Sequence, residues 1–459
     1  MTSAEDEALR AKIRNKLYYG IQGYTKNLPD FVIPENLQRF SVRKGDEFFA
    51  SLRTALTGED EINVYLHVPF CKFECTFCNT RPNMPDAEAE TQYFNRLMKE
   101  IQLYASEGAF EGRRTRSIYF GGGTPTMFSP EQIGELVDLL KTNAPLHDEA
   151  TVSVEATPGS LAKDVIPRLR DAGVDRLSIG CQTFDLAVLK LCMRSHTPRQ
   201  MEGIIRTAHD NGMRLNVDIM LGLAGQTLES LDADLEILED LKPDAVEFIR
   251  HEIVNQKMVD VYDERPELLV SDDDLFAMTL KAHQWSEDNG YEQNGRFTHD
   301  QDFPYRYHWL KGMPLLAFGA RTRSYVNALC YENQENLGLY GKMIDRGLPP
   351  LHQHQQLSHK EQMYRALFLG IQIRAGVDRA QFREKYGVDV TTALTDVVGG
   401  LRDLEAIEVD EDGVRLTRYG QYFYEDVCCY IMDTAKRADF SDHERTPFSY
   451  GTAWEAGPR

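Results

Sequence analysis

The chain has 459 residues, enough for two or three domains around a large core, and its formal net charge is −21. This acidic balance disfavours nucleic acid or an anionic membrane surface as the main partner, and no apolar run approaches the roughly 18 residues of a membrane span. Eight cysteines without a secretory signal favour a reducing compartment, so we expect a cytoplasmic protein.

The first 60 residues contain few regular patterns. Prolines and scattered aromatic residues interrupt any helical or strand periodicity, with Pro29 and Pro34 as examples. We therefore predict an arm over residues 1–60 that lies across the domain that follows.

The middle of the chain alternates between strand and helix patterns six times. Units of this length imply parallel strands joined by right-handed crossovers, so that the ends of the strands meet at one edge. Amphipathic helical patterns separate the strands, for example at 87–106, 129–142 and 227–241. The predicted strands are 62–68, 116–120, 151–156, 176–181, 214–221 and 244–250.

Three cysteines follow the first of these strands with the spacing C-x3-C-x2-C. Cys71, Cys75 and Cys78 supply three thiolates where a cubane iron–sulfur cluster takes four ligands, which leaves one iron open. A zinc ribbon would need a second pair of ligands, and none follows nearby. The alternative is a loop with three free or disulfide-bonded cysteines. The flanking Phe70, Phe73 and Phe77 favour the cluster because they would exclude water from it.

Polar and small residues follow the next strands. The glycine run 121–123, with Thr124 after it, would let the backbone approach a ligand, although it is also compatible with a tight turn. Glu155 ends the third strand and could accept hydrogen bonds from an ammonium or a ribose, or could be a solvated loop residue. Arginine forks onto carboxylates and aspartate accepts hydroxyl protons, which suits Arg194 and Asp218 to a polar ligand.

After residue 330 the pattern becomes helical. Helices are predicted at 357–373, 378–386 and 391–405, followed by a hairpin over 406–417 with Asp412-Gly413 at its turn. This order is typical of a winged helix. The segment is acidic, so DNA binding is not expected.

The segments YLHVPFC, YFGGGTPT and LTRYGQYFYEDVCCYIMD, together with the cysteine triplet, resemble the radical S-adenosylmethionine (SAM) superfamily, and within it the group related to oxygen-independent coproporphyrinogen oxidase. That group also contains heme chaperones, anaerobic heme-degrading enzymes and class C methylases. The resemblance implies an α/β fold: a partial (β/α)6 barrel over 61–330, the N-terminal arm over 1–60, and a helical, winged-helix-like domain over 331–459.

The resemblance also implies cofactors and the residues that bind them. A [4Fe-4S] cluster would bind Cys71, Cys75 and Cys78, and the open iron would chelate SAM, whose cleavage gives a 5′-deoxyadenosyl radical. A second SAM is expected beside the first, as in related enzymes. The first SAM is assigned to Tyr65, Phe77, Gly121, Gly122, Gly123, Thr124, Glu155, Gln182, Arg194 and Asp218, and the second to Gly123, Glu155, Met220, Gly319 and Arg323.

Arg321 and Arg323 stand where related chains carry small or aliphatic residues. The alternative is that they are surface arginines, but at the barrel mouth they would suit a substrate or SAM carboxylate. The polar and aromatic stretch with His299, Tyr307, His308 and Trp309 is a candidate substrate pocket. A proton acceptor is expected among Glu155, His299 and Tyr325.

Two departures from the oxidases direct the functional prediction. Thr80 occupies the position of a fourth cysteine, and the N-terminal tyrosine-serine-tyrosine-proline element has no counterpart. Heme chaperones carry an early heme-binding histidine, whereas no histidine precedes His67 here. The leading prediction is therefore a class C radical SAM enzyme that transfers a methyl or methylene group to an sp2 carbon of an aromatic metabolite, giving C-methylation or cyclopropanation in natural-product biosynthesis.

Two alternatives stay open: an anaerobic tetrapyrrole enzyme, either a heme-degrading methylase or coproporphyrinogen oxidase-like, and a heme chaperone. The expected partners are a small aromatic substrate and a low-potential electron donor such as flavodoxin or ferredoxin. A monomer is the expected assembly, with no nucleic acid and no membrane among its partners.

Overall fold

The computed structural model describes residues 38–39, 45–78, 82–251, 253, 255–293, 297–298 and 304–437. These residues divide into two compact units. The larger, called the barrel unit below, contains the described residues within 42–327 and 332–352, and the smaller contains residues 38–39, 328–331 and 353–437.

The barrel unit is built on parallel strands that are ordered as they occur in the sequence. Each strand pairs in parallel with the next, and the first two are joined over their whole length, from Glu61 opposite Arg114 to Val68 opposite Gly122. The six strands are β2 (Glu61–Val68), β3 (Arg114–Gly122), β4 (Leu146–Ala156), β5 (Arg176–Gln182), β6 (Arg214–Leu221) and β7 (Ala245–Arg250).

Helices and short 3-10 turns connect these strands on the outside of the sheet. Their ends carry sequence signals: Ser129 caps α3 in a capping box with Gln132, and Pro130 begins that helix. The helices are α1 (Gly45–Ala55), α2 (Ala87–Ser106), α3 (Pro130–Asn143), α4 (Val165–Asp171), α5 (Leu186–Leu191), α6 (Pro198–Asp210), α7 (Leu228–Leu241), α8 (Gln256–Glu264) and α9 (Asp272–Asp288). The 3-10 turns are Pro125–Met127, Pro158–Ser160 and Pro266–Leu268.

Strands that the sequence did not predict extend the sheet at both edges. β10 (Leu315–Phe318) lies parallel to β2 on the side opposite β3, and β11 (Arg323–Val326) pairs with it in antiparallel fashion. Beyond β7, the antiparallel β9 (Phe297–Thr298) and β8 (Glu292–Gln293) follow, so among the described strands β7 does not return to β2. The barrel is therefore partial, which confirms the predicted fold class.

The remaining elements of the barrel unit include α10 (Pro304–Leu310), which lies against β2, β3 and β4, and α11 (Leu337–Ile344), which packs on α2. β12 (Leu329–Asn333) and β13 (Leu351–Gln356) each contribute residues to both units, and β1 (Gln38–Arg39) pairs with β13.

The smaller unit is helical with a small sheet, as predicted. β14 (Val377–Asp378), β16 (Gly413–Leu416) and β15 (Ile407–Val409) form three antiparallel strands. The hairpin turns at Asp410, whose carboxylate accepts the backbone N–H groups of Asp412 and Gly413. The helices are α12 (His359–Gly370), α13 (Arg379–Tyr386), α14 (Val390–Ala393), α15 (Thr395–Asp403), α16 (Arg418–Tyr422) and α17 (Tyr424–Arg437).

The core of the barrel unit lies between the sheet and its outer helices. Along β2, Val64, Leu66 and Val68 are fully buried, whereas Tyr65 and His67 between them lie on the other face, inside the barrel. Within the described part of the chain, no helix is both long enough and apolar enough to cross a membrane.

Candidate active site

The three cysteines lie in a loop that leaves the carboxyl end of β2. The loop is fixed at several points: Cys71 donates its N–H to Asn83 O at 3.0 Å, and Cys78 donates to Cys75 O at 3.2 Å. The sulfur of Cys71 lies 3.2 Å from the hydroxyl of Thr124, just after β3. The loop is therefore held both within itself and by the neighbouring strand.

The donor set of this loop fits an iron–sulfur cluster. All three cysteines are half-buried thiols outside any disulfide, and burial raises the pKa of Cys71 to about 11, so iron would have to displace protons to bind there. In the described part of the chain, no three His, Cys, Asp or Glu side chains converge on a point that a single metal ion could occupy. A cubane cluster does not require this, because each cysteine binds a different iron.

The glycine run joins β3 to the cysteine loop. Gly123 donates its N–H to Val68 O at 2.8 Å, and Thr124 donates to Phe70 O at 2.7 Å, which extends the pairing of β2 and β3 into the loop. A Cβ on Gly122 would lie 2.5 Å from the His67 ring, and one on Gly123 would lie 2.5 Å from Phe70 O. Close packing within the protein therefore requires glycine at both positions, and their predicted part in binding a ligand stays a prediction.

A Gly122→Ala substitution should destabilise the protein and displace the cysteine loop. Gly122 has φ 118°, a region that disfavours any side chain, and the added carbon would overlap His67. We expect the free energy of unfolding to fall by about 2–4 kcal/mol, measured by urea denaturation of the metal-free protein.

Gly212→Ala is the matched control for this prediction. Gly212 also has a positive φ, 65°, but no atom lies within 4 Å of the position that its Cβ would take. The free energy of unfolding of this variant should fall by only about 1–2 kcal/mol, which is the cost of a side chain at that backbone conformation. Equal losses in the two variants would contradict the steric role of Gly122.

Glu155 lies at the carboxyl end of β4 and is held by β3. Its two carboxylate oxygens accept the Tyr119 hydroxyl at 2.6 Å and the Gly122 N–H at 3.1 Å. Tyr119 in turn lies beside Tyr65, and Tyr305 from α10 stacks on Tyr119 with 4.6 Å between ring centroids. Three tyrosine rings therefore pack together beside Glu155.

Gln182 and Arg194 meet at the carboxyl end of β5. Arg194 donates to Gly180 O at 2.8 Å, and a Cβ on Gly180 would lie 2.7 Å from Gln182 Nε2 and 3.1 Å from Arg194 Nη2. Gln182 Oε1 and Arg194 Nε are both buried and have no hydrogen-bond partner in the described part of the chain. Buried polar groups are normally paired, so these two atoms fit a polar ligand such as SAM.

The wall next to Arg194 combines polar and apolar residues. The Phe77 ring lies 5.8 Å from the Arg194 guanidinium and packs against a buried apolar cluster that includes Met220. Asp218, on the adjacent β6, is half-buried and accepts Asn216 Nδ2 at 2.5 Å. The structure thus brings these predicted SAM residues to one edge of the sheet, near the cysteines.

His67 lies at the same edge, and no role in binding a cofactor was predicted for it; Arg321, which was expected to suit a substrate or SAM carboxylate, lies close enough for its charge to act on His67. His67 Nδ1 lies 3.1 Å from the Tyr65 hydroxyl. Burial, with the nearby Arg321 charge, lowers the pKa of His67 to about 4, so the imidazole is neutral at pH 7. His67 could have been found from the sequence because it lies two residues after Tyr65 on the same strand, so both side chains are on one face.

A buried carboxyl supports the turn after β10. Glu100 accepts hydrogen bonds from Gly319 N–H at 2.8 Å, Tyr340 hydroxyl at 2.6 Å and Asn333 Nδ2 at 2.7 Å. Burial raises the pKa of this carboxyl to about 7 despite those donors. Gly319 has φ 106° and lies against Tyr93, so its contacts are with the protein.

Several predicted residues lie away from this edge. Arg323 is exposed and bonds to Glu332 at 2.5 Å, and Tyr325 is aligned with Leu315 at the amino end of β10. Tyr307 and His308 line a cavity of about 590 Å³ with residues from the amino ends of the strands, on the opposite side of the barrel from the cysteines. His299 and Thr80 lie outside the described residues.

Comparison with known proteins agrees with this geometry. Residues 65–238 match the family model of the Radical SAM superfamily, and residues 357–423 match that of the HemN C-terminal domain. The chain is similar to the heme chaperone HemW of Bacillus subtilis, with 26% identity over 369 residues, which cover 78% of this chain and 96% of the relative.

The names of two further relatives refer to coproporphyrinogen III and to anaerobilin. The oxygen-independent coproporphyrinogen III oxidase of Escherichia coli is 24% identical to this chain over 447 residues. These residues cover 92% of this chain and 97% of the oxidase. The solved structure of this oxidase shares the fold, with a TM-score of 0.77 and 22% identity over 91% of this chain and 98% of that chain. Anaerobilin synthase of Escherichia coli O157:H7 is 26% identical over 295 residues, 63% of this chain and 66% of the relative.

Proposed function

We propose that this chain is a radical SAM enzyme related to HemN and HemW and that it carries out its chemistry on a tetrapyrrole. The observation that carries the proposal is the extent of the similarity: proteins named for coproporphyrinogen or heme match this chain over 92% and 78% of its length. The predicted methyl transfer to an aromatic metabolite has no support among these relatives. The tetrapyrrole alternative therefore becomes the leading function.

The cofactors that the family implies are a [4Fe-4S] cluster and SAM. Cys71, Cys75 and Cys78 would hold the cluster, and together with SAM it would supply a 5′-deoxyadenosyl radical. Arg194 suits the SAM carboxylate because its buried Nε lacks a partner, and Gln182 Oε1 can accept a hydrogen bond from the SAM ammonium. The protein's own contribution is to orient these groups and to exclude water.

Glu155 on β4 and Asp218 on β6 supply hydrogen-bond acceptors on the two strands that flank β5. Tyr119 and Gly122 hold the Glu155 carboxylate in one orientation, which suits it to bind a ligand hydroxyl or ammonium rather than to move as a base. Asp218, anchored by Asn216, lies where it can accept from a ribose. A second SAM beside Gly123, Glu155 and Met220 remains part of this proposal.

Substrate recognition is assigned to the turn after β10. Arg321 has a left-handed backbone conformation, with φ 64°. Its N–H donates a hydrogen bond to Gln334 O at 3.1 Å. Its charge acts on the buried His67 ring at this edge, and its Nε also pairs with Glu335 Oε1 at 3.5 Å. Tetrapyrroles of biosynthesis carry carboxylate side chains, and arginine binds carboxylates with two parallel hydrogen bonds.

The test is anaerobic turnover with candidate substrates. The reconstituted, reduced protein would be incubated with methyl-labelled SAM and either coproporphyrinogen III or heme. We expect 5′-deoxyadenosine to form faster with one of these than without substrate, accompanied by a change in the tetrapyrrole absorption spectrum.

The products distinguish the possible reactions. Carbon dioxide without S-adenosylhomocysteine would assign an oxidase-like decarboxylation, whereas S-adenosylhomocysteine with labelled tetrapyrrole would assign a methylase. Tight heme binding with no substrate-dependent deoxyadenosine would replace the proposal with a chaperone function. Labelled carbon in an aromatic compound other than a tetrapyrrole would also overturn it.

A further inference from the structure

Helix α10 carries a tyrosine whose ring contacts the barrel strands from the inside. The Tyr305 ring stacks on Tyr119 of β3, with 4.6 Å between the ring centroids and 16° between the ring planes. Its centroid also lies 6.2 Å from that of Tyr65 on β2. Tyr65 and Tyr119 are aligned across these two parallel strands, so their side chains share the inner face of the sheet. Tyr305 therefore packs on both rings from within the barrel.

The position of Tyr305 is fixed by a second contact between α10 and β3. Arg116 on β3 donates from its Nε to His308 Nε2 at 3.2 Å. His308 comes three residues after Tyr305, and residues at this spacing lie on the same side of a helix. Burial, with the Arg116 charge, lowers the pKa of His308 to about 4, so the ring is neutral at pH 7 and can accept this hydrogen bond. The helix thus meets the strand at two points, and Tyr305 is one of them.

Tyr119 connects this contact to Glu155. The Tyr119 hydroxyl donates to Glu155 Oε1 at 2.6 Å, and the Gly122 N–H donates to Glu155 Oε2 at 3.1 Å. A Cβ on Gly121 would lie 2.9 Å from the Tyr65 ring and 3.0 Å from the Tyr119 ring, so both rings lie over Gly121, toward the carboxyl ends of the strands. Tyr119 is buried, whereas Glu155 is half-buried and stays accessible to a ligand. The orientation of the Tyr119 ring therefore determines how the carboxylate is held.

We propose that Tyr305 is a positioning residue for the carboxylate of Glu155. Its ring holds the Tyr119 ring by stacking, and the Tyr119 hydroxyl in turn fixes the carboxylate so that it can accept a hydrogen bond from SAM. The inference rests on the proposed function, which assigns Glu155 to a ligand hydroxyl or ammonium. Tyr305 itself touches no ligand in this role, so its loss acts through Tyr119.

The test is equilibrium dialysis of SAM against the full chain after anaerobic reconstitution, with no tetrapyrrole present. We expect Tyr305→Leu to raise the SAM dissociation constant about 3- to 10-fold, the range that the loss of one aromatic pair implies. Tyr305→Phe keeps the ring, so its dissociation constant should stay within about twofold of the parent value. Iron content should be the same in all three proteins. A Tyr305→Leu protein that binds SAM as tightly as the parent would overturn the proposal.

A double-mutant cycle shows whether Tyr305 acts through Tyr119. Tyr119→Phe keeps the stacked ring and removes only the hydroxyl, so it should weaken SAM binding at least as much as Tyr305→Leu does. In the Tyr119→Phe background, Tyr305→Leu should cause no further loss, because the hydroxyl that it orients is already absent. Additive losses would mean that Tyr305 acts by another route, for example through Tyr65, and would also overturn the proposal.

Tyr307→Leu is the matched control. Tyr307 is half-buried on the same helix but lines the cavity at the amino ends of the strands. The chemical change is identical, so a general disturbance of α10 would appear in both variants. SAM affinity should stay within about twofold of the parent in Tyr307→Leu, since this residue lies away from Glu155. Equal losses in Tyr305→Leu and Tyr307→Leu would contradict a specific role for Tyr305.

Glu155→Gln separates this inference from the proposed function. Weaker SAM binding in Glu155→Gln, with none in Tyr305→Leu, would overturn the inference and leave the assignment of Glu155 in place. Unchanged SAM binding in Glu155→Gln would overturn that assignment and the role of Tyr305 with it. Because the dialysis contains no tetrapyrrole, a negative result in the turnover test would leave these outcomes unaffected.

Discussion

Replacing Cys75 by serine should abolish the reductive cleavage of SAM. The parent should bind about four irons per chain after anaerobic reconstitution, and the variant should lose them on gel filtration because a hydroxyl replaces one of three thiolates. Cys75 is half-buried in the loop, and burial raises the pKa of its thiol. Iron analysis and 5′-deoxyadenosine formation measure the two effects.

Cys429→Ser is the control for this loss. Cys429 is buried at 6% exposure in α17, in the smaller unit, and the chemical change is identical. This variant should retain its iron and its SAM cleavage. A Cys75→Ser protein that keeps four irons and cleaves SAM at the parental rate would refute the cluster assignment.

Arg194→Gln should weaken SAM binding by about 10- to 100-fold, since hydrogen bonds to charged groups contribute about 1.5–3 kcal/mol. Arg194 is 8% exposed, and its Nε is available to a ligand. Equilibrium dialysis with the reconstituted protein measures the dissociation constant. Iron content should not change, because Arg194 bonds to Gly180 O rather than to a cysteine.

Arg206→Gln provides the comparison for this change. The Arg206 side chain is 73% exposed on α6 and pairs with Glu202 at 2.7 Å. Its loss should leave SAM affinity within about twofold, because surface ion pairs contribute little. If the Arg194 variant bound SAM as tightly as the Arg206 variant, the predicted pocket would be misplaced.

The features that the sequence predicts well are local ones. The strand predicted at 214–221 matches β6, and the predicted helix at 87–106 matches α2, because a period of 2 or 3.6 in apolar residues is visible within one segment. The cysteine spacing likewise lies within eight residues. The carboxyl ends of parallel strands lie at the same edge of a sheet. This rule alone predicts that Glu155, Gln182 and Asp218 lie at one edge.

The features that it misses depend on long-range contacts. β10 spans four residues, LLAF, which are too few to distinguish a strand from a helix by periodicity, so its place beside β2 was not predicted. Helix 391–405 was predicted as continuous, yet the chain breaks at Leu394, between α14 and α15. The contact of Gly122 with His67 was not predicted, because His67 is 55 residues earlier in the chain and meets it only through strand pairing.

The pairing of β10 with β2 has a consequence for synthesis of the protein. Asn63 and Leu315 are aligned across these strands, so their contact closes a loop of about 250 residues, at an entropic cost on the order of 5 kcal/mol. A ribosome adds about 5–20 residues per second, so β2 waits at least about ten seconds for this neighbour. During that interval the strand leading into the three cysteines has an unpaired edge, and nascent chains that stall before residue 315 expose it to aggregation.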